Sequence, residues 1–255
     1  MPQSLQLIAL EGVPLIRPGD DLAALVIAAL ARSGAAPADG DVVVVAQKVV
    51  SKAEGRYVDL ATVAPSARAL GLAREVDKDP RLVELILRES RRVVRHRPGV
   101  LIVEHRLGFV MANAGIDRSN IDPDAAEEPV LLLPLDPDAS AAALRARLVT
   151  QFAVAMGVVV SDSFGRAWRR GTVGIALGAA GLPSCIDLRG RADLYGRALR
   201  VSETGFADEI AAAASLLMGQ ADEGVPAVLV RGLSWLAPAT PAADLLRAAG
   251  EDLFR

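Results

Sequence analysis

A short run of valines, Val158 to Val160, leads directly into two side chains that carry oxygen ligands, Asp162 and Ser163. A carboxylate and a hydroxyl are hard donors that suit Mg²⁺ or Mn²⁺. Three arginines follow before Gly171, and their guanidinium groups match phosphate or carboxylate oxygens; they are Arg166, Arg169 and Arg170. The same pattern also describes a solvated basic turn after an ordinary strand, and this stretch alone slightly favours the turn.

Two further apolar runs also end in polar side chains. The run Val42 to Val45 is followed by Lys48 and Lys52, which suit phosphates but equally describe a solvated edge. A strand predicted over residues 107–112 leads into a loop, 113–120, that contains Asp117 and Asn120. Such residues are common turn formers. Because ligand sites often lie beyond the carboxyl ends of strands, the recurrence of this pattern favours one shared site.

The elements that must position these residues are strands and helices without strict alternation. Valine-rich and alternating runs predict strands, and apolar residues at helical spacing predict helices. The strands are residues 5–10, 41–46, 100–104, 107–112, 130–133, 157–160 and 225–230, with 172–181 open to either type. The helices are residues 22–30, 79–95, 139–151, 208–219 and 242–254, and residues 47–56 are a basic loop. The mixture predicts an α+β fold of mixed sheets with flanking helices.

The composition excludes several classes of protein. Hydrophobic residues make up 52% and charged residues 23% of 255 residues, which is typical of a globular chain. A net charge of −3 and 4% aromatic residues argue against nucleic-acid binding. Cys185 is the only cysteine, and neither a signal peptide nor a membrane span is predicted, so we expect a cytoplasmic protein. His96 and His105 do not have the spacing of a metal pair.

Six short motifs follow one another along the chain, at residues 13–16, 50–56, 113–120, 161–166, 190–197 and 208–219. In this order and spacing, from about Leu10 to Gly232, they resemble the coenzyme F420-0:gamma-glutamyl ligase family. The resemblance implies an α+β fold of two intertwined lobes and a homodimer. It also implies a single ligase domain over residues 1–255, without the nitroreductase-like domain that bacterial two-domain members carry.

The resemblance implies a GTP-dependent ligase of F420 biosynthesis that adds L-glutamate to coenzyme F420-0 through gamma-linked amide bonds, by way of an acyl phosphate. Its cofactors would be two divalent ions, Mg²⁺ or Mn²⁺, and K⁺. The metal ligands fall on Asp117, Asp162, Ser163 and Gln220. The nucleotide contacts fall on Val13, Pro14, Leu15, Ile16, Gln47, Lys48, Lys52, Asn120, Gly219, Ala221, Asp222, Glu223, Gly224, Val225 and Pro226. No catalytic residue is assigned.

Two departures from the family pattern affect these expectations. Gln47 and Lys48 stand where the family often has Ser-Thr, and Ser163 replaces a more common threonine while keeping the hydroxyl. Two alternatives to the ligase remain open. One is a non-catalytic protein that binds nucleotide or metal on the same scaffold, and the other is an amide ligase for a different phosphorylated acid.

Overall fold

The computed structural model describes residues 4–121, 127–248 and 250–252. Within these ranges the chain forms six α-helices. They are α1 (Leu22–Arg32), α2 (Gln47–Ala53), α3 (Ala67–Val76), α4 (Pro80–Arg88), α5 (Pro137–Phe152) and α6 (Phe206–Met218). None of the described helices is long and apolar enough to cross a membrane.

Twelve strands lie in the same part of the chain. They are β1 (Gln6–Ala9), β2 (Val42–Ala46), β3 (Tyr57–Asp59), β4 (Ser90–Arg97), β5 (Val100–His105), β6 (Val110–Ala112), β7 (Pro129–Leu131), β8 (Gly157–Gly165), β9 (Thr172–Ala180), β10 (Ile186–Asp187), β11 (Glu203–Thr204) and β12 (Ala227–Arg231). Among the described residues, a mixed main sheet and three small antiparallel sheets, flanked by helices, confirm the predicted α+β class.

The main sheet has the strand order β1-β12-β2-β8-β9, and its β2–β8 pair is parallel. Its central strands are buried on both faces, which explains their unbroken valine runs. One face packs on α1 and α5 through residues such as Val26 and Leu148. The other face packs on α6 through residues such as Ile210 and Ala214. The predicted buried strands are therefore confirmed as the central layer of the protein.

A second group of elements is inserted between α2 and α5. It contains the sheet β4-β5-β6, the pair β3-β7, and the helices α3 and α4, which pack on β5. Phe109 and Met111 of this group share a core cluster with Phe164 and Leu177 of the main sheet. The chain thus leaves the main sheet, builds the second group and returns, and the two parts pack together through this shared cluster.

Three predicted elements are wrong. The segment 47–56, predicted as a loop, begins with the helix α2, whose Gln47, Val50 and Ser51 are buried at helical spacing. The helix predicted over 79–95 ends at Arg88, because the following residues pair with β5 as strand β4. Only a 3-10 helix, Ala242–Leu245, is found among the described residues of the predicted terminal helix 242–254, of which residues 249, 253 and 254 lie outside the described ranges.

Candidate functional site

The main sheet ends unevenly at the site. The pairing of β2 with β8 stops at Ala46 and Ser161, whereas β8 and β9 continue as a two-stranded ribbon to Gly165 and Thr172. Asp162 and Ser163 therefore lie inside β8, not beyond it as the sequence predicted. They occupy the first positions of β8 that β2 no longer covers, next to the point where α2 begins. This is the carboxyl end of the parallel pair, where ligand sites commonly lie.

Asp162 and Ser163 point to opposite faces of β8, because successive side chains of a strand alternate. Ser163 is paired with Gly174, and a Cβ on Gly174 would lie 2.4 Å from the carbonyl oxygen of Ala211, so this face is covered by α6. Asp162 is paired with Ile175, which packs against the Phe109 cluster of the second group. The predicted metal ligands of β8 thus lie on opposite faces of the strand, Ser163 towards α6 and Asp162 towards the second group of elements.

Asp162 is a poorly compensated acid. Burial, together with the nearby carboxylate of Asp117, raises the pKa of Asp162 to about 6. The backbone N–H of Ser163 donates to Asp162 Oδ1 at 2.8 Å, and Lys48 and Gln47 favour its charged form without overcoming the effect of burial. The charged form of this side chain would be stabilised by an additional cation.

Asp117 reaches the site from the loop after β6. Its backbone forms two hydrogen bonds with Leu131, each 3.0 Å long, which fix the loop against β7. Burial acts to raise the pKa of Asp117, but the ammonium of Lys48 and the N–H of Ser119 outweigh it and lower the pKa. Lys48 Nζ lies 2.7 Å from Asp117 Oδ2, and Ser119 N donates to Oδ1 at 2.6 Å.

The two lysines of α2 are four residues apart and therefore share a helix face. Lys48 Nζ also donates to Ser119 Oγ at 2.7 Å, and Lys52 Nζ donates to the carbonyl oxygen of Asn120 at 2.5 Å. Asn120 Nδ2 in turn donates to the carbonyl oxygen of Ala221 at 3.0 Å. This chain of contacts joins α2, the 117–120 loop and the 219–226 loop.

The 219–226 loop has a tightly constrained start. Gly219 has a φ of 67° and its hydrogen faces the Glu223 carboxylate, so a Cβ there would lie 2.0 Å from Glu223 Cδ. The same carboxylate accepts a hydrogen bond from Ala221 N at 2.8 Å, which lowers the pKa of Glu223. Pro226 accepts from Ala46 N at 2.9 Å and so anchors the end of the loop at β2. Gln220, Asp222 and Gly224 are exposed, and Val225 is half-buried.

The segment that contains Val13, Pro14, Leu15 and Ile16 lies beside the far end of α2. Gly19 N donates to the carbonyl oxygen of Ala53, the last residue of α2, at 2.9 Å. Leu15 is 89% exposed and Ile16 is buried, so the segment presents one apolar side chain to solvent and uses another in the core. The Gly19 hydrogen bond attaches the turn that follows the segment to the C-terminal end of α2, a helix about 10 Å long.

The oxygen donors of the site fit a divalent ion of the Mg²⁺ type. The described residues contain no group of three or more His, Cys, Asp or Glu side chains that could hold a metal. The predicted set instead combines two carboxylates with a hydroxyl and an amide, all hard donors. Ser161, on the same face as Ser163, lies 3.8 Å from Met218 Sδ, just before Gly219 and Gln220. The face of Ser163 is therefore the face towards the Gln220 loop.

Sequence reasoning missed the position of Gln47. This side chain is 2% exposed, and its Oε1 accepts a hydrogen bond from Ser51 Oγ at 2.9 Å. Its amide acts on the Asp162 carboxylate and favours the charged form. The buried glutamine therefore helps to orient an acid of the site, which the sequence could have indicated only if residues 47–56 had been recognised as a helix.

Comparison with known proteins identifies the family. The family model for F420-0:gamma-glutamyl ligase matches residues 12–232. The coenzyme F420:L-glutamate ligase of Methanothermobacter thermautotrophicus is 47% identical over 98% of this chain and 99% of the relative. Proteins with the same name from Methanopyrus kandleri and Archaeoglobus fulgidus are 45% and 43% identical, over 98% of this chain and 99% and 96% of the relatives. The chain is an enzyme of the ligase class and belongs to the F420-0:gamma-glutamyl ligase family.

Proposed function

We propose that this protein is a GTP-dependent ligase that adds L-glutamate to coenzyme F420-0 through gamma-linked amide bonds. The family and its named relatives support the acceptor and the amino acid. The observation that carries the site is the meeting of Asp162, Asp117 and Lys48 at the uneven end of the main sheet. Two acids and a lysine in one partly desolvated place suit a reaction that moves a phosphoryl group.

The reaction would proceed in two balanced steps. A carboxylate oxygen of F420-0 attacks the γ-phosphorus of GTP, and the bond to the bridging oxygen breaks, which gives an acyl phosphate and GDP. The amino nitrogen of glutamate then attacks the acyl carbon. The amide forms as the bond to phosphate breaks, and inorganic phosphate and a proton leave.

The residues of this chain would bind and orient the reactants. Lys48 and Lys52 supply positive charge on one face of α2, where they would contact phosphate oxygens. The 219–226 loop, with Val13 to Ile16 and Asn120, would hold the remainder of the nucleotide. Asp117, Asp162, Ser163 and Gln220 would hold two divalent ions, Mg²⁺ or Mn²⁺. Such ions neutralise charge on the transferred phosphoryl group. Positioning then accounts for most of the remaining rate enhancement.

Incubation with GTP, Mn²⁺, glutamate and F420-0 tests this proposal. We expect a product heavier by one glutamate residue and an equal amount of GDP, both measured by mass spectrometry. Glu75→Gln changes an exposed side chain of α3 and should retain this activity, so it is the control for variants that remove a charge from the site. The proposal would be overturned if the folded protein, supplied with metal, forms neither product. Equal turnover with ATP would contradict the proposed preference for GTP.

The proposal also includes K⁺ as a supporting monovalent cation and a homodimer as the active species. Replacement of K⁺ by Na⁺ at constant ionic strength should lower turnover. Sedimentation equilibrium should give twice the mass of the 26.6 kDa chain. Unchanged turnover or a monomeric mass would remove the corresponding part without affecting the ligase reaction itself.

A further inference from the structure

The β8–β9 ribbon ends in a hairpin loop, residues 166–171, which we call the ribbon tip. Four residue pairs, from Asp162 with Ile175 to Gly165 with Thr172, extend the ribbon past the end of β2. Phe164 packs edge-to-face on Phe109 with ring centroids 6.0 Å apart, which fixes the ribbon against the second group of elements. Because a strand rises about 3.3 Å per residue, the tip, which starts four residues after Asp162, begins about 13 Å from it.

The ribbon tip concentrates positive charge. Arg166, Arg169 and Arg170 are all exposed, and no carboxylate of the described residues lies within 4.0 Å of their guanidinium groups. By contrast, Arg189 in another exposed loop lies 2.7 Å from Asp187 and 3.1 Å from Glu203. Three cations in a six-residue loop repel one another, so an anionic ligand at the tip would be favoured.

The same loop presents an aromatic surface. Trp168 is 87% exposed and has a φ of 66°, a left-handed conformation that is unusual for a bulky residue. Arg166 Nη2 donates to the carbonyl oxygen of Arg170 at 3.3 Å, which closes the loop across the tryptophan. A ligand that combines a planar ring with an anionic group would match both features of the tip.

We infer that the ribbon tip binds the F420-0 acceptor, with the arginines on its phosphodiester and Trp168 against its deazaflavin ring. This inference rests on the proposed function, and it adds a binding site for the acceptor to the protein. The acceptor carboxylate must lie beside Asp162 to react, and the remainder of the molecule must extend away from it. The tip directly follows β8, the strand that carries Asp162, whereas the proposed nucleotide contacts lie on α2, the 219–226 loop, the segment 13–16 and Asn120.

The test measures the KM of each substrate separately for Arg169→Ala/Arg170→Ala. We expect the KM of F420-0 to rise roughly tenfold or more, because the variant loses about one charge-assisted hydrogen bond to the acceptor. The kcat and the KM values of GTP and glutamate should stay within about twofold of the parent, because the acids of the site are intact. Trp168→Ala should raise the KM of F420-0 as well, and Trp168→Phe should restore most of the loss.

The matched control is Arg68→Ala/Arg74→Ala, which removes two exposed arginines from α3 and gives the same change in net charge. The control should leave the KM of F420-0 unchanged. An unchanged KM in the tip variant, or an equal rise in the control, would overturn the inference. A rise confined to the KM of GTP would assign the tip to the nucleotide and overturn it too.

Direct titration of F420-0, followed by deazaflavin fluorescence without GTP, separates this inference from the proposed function. If the parent protein forms no product, the ligase proposal fails, and the titration alone decides the role of the tip. Binding by the parent that is weakened roughly tenfold in the tip variant supports the tip as the site. Equal binding by both proteins, or no binding by the parent, overturns it.

Discussion

Asp162 and Glu89 are both largely enclosed acids, but their surroundings differ sharply. Glu89, with a side chain 15% exposed, lies 3.2 Å from Arg56 Nη2 and 3.0 Å from Arg106 Nε, and His105 Nε2 is 3.6 Å away. His105, followed by the two arginines, lowers the pKa of Glu89 to about 2 despite burial. Burial, with a smaller contribution from the neighbouring Asp117 carboxylate, raises the pKa of Asp162 to about 6.

The difference separates an acid whose charge is neutralised within the fold from one that we propose binds a metal ion. Glu89 joins the end of α4 to the turn that follows β5 and to Arg56, which also donates to the carbonyl oxygen of Leu133 at 2.9 Å. The charge of Glu89 is therefore neutralised by groups of the protein itself. The charge of Asp162 is less compensated by its surroundings, and perturbed acids of this kind are typical of functional sites.

The largest effect we expect is on turnover in Asp162→Asn. The amide keeps the shape but not the charge, and we expect kcat to fall roughly 10³-fold, about 4 kcal/mol of barrier. The free energy of unfolding should not decrease, because a desolvated charge beside Asp117 is removed. Steady-state ligation and urea denaturation measure the two quantities.

Glu75→Gln serves as the control for this pair of measurements and should match the parent in both. Turnover of Asp162→Asn close to that of the parent would show that the acid is not part of the reaction. A large decrease in the free energy of unfolding would instead show that Asp162, like Glu89, stabilises the fold.

The second effect concerns Glu89→Gln, which we expect to lower the free energy of unfolding by about 3 kcal/mol. The glutamine keeps an oxygen acceptor but removes the negative charge, so Arg56 and Arg106 remain charged and partly enclosed without a counter-ion at this position. Urea denaturation monitored by circular dichroism measures the change. Glu75→Gln, whose side chain is 60% exposed, should change it by no more than about 0.5 kcal/mol. Equal losses in both variants would contradict a special role for the cluster.

The sequence was sufficient to predict the main sheet and several of its helices. Valine runs at β2, β8 and β12 identify buried strands, since nothing but a two-sided core explains them. The split between α4 and β4 was not predictable from periodicity, because the apolar pattern continues through Val93 and only pairing with β5 ends the helix. A long-range contact overrode the local signal there.

The candidate site was predictable as a meeting of strand ends but not in its arrangement. The clustering of Asp162, Asp117 and Lys48 agrees with the polar ends of three strands, although their roles are still predictions. The opposite directions of Asp162 and Ser163 require β8 to continue as a strand, paired with β9, past the last residue that pairs with β2, and this is a matter of sheet register. Register depends on the partner strand, so β8 alone could not reveal it.

The third effect is the acid sensitivity that Glu89 confers. A lowered pKa stabilises the fold above the unfolded value, near 4.5, and that stabilisation is lost as the pH falls towards about 2. Between pH 4.5 and pH 3 we expect the parent to lose about 2 kcal/mol more than Glu89→Gln. Urea denaturation at several pH values measures the difference, and parallel curves for the two proteins would contradict it.

The smallest effect is stabilisation by metal. It tests whether Asp162, and not Glu89, contributes to metal binding. Mn²⁺ at ten times its Kd should raise the free energy of unfolding by about 1.4 kcal/mol, because it binds the folded state. Asp162→Asn should lose most of this increase, since it removes a charged ligand from the site. Glu89→Gln should keep the increase in full although its own stability is lower. Thermal denaturation with Mn²⁺ and with EDTA measures each shift, and an undiminished shift in Asp162→Asn would place the metal elsewhere.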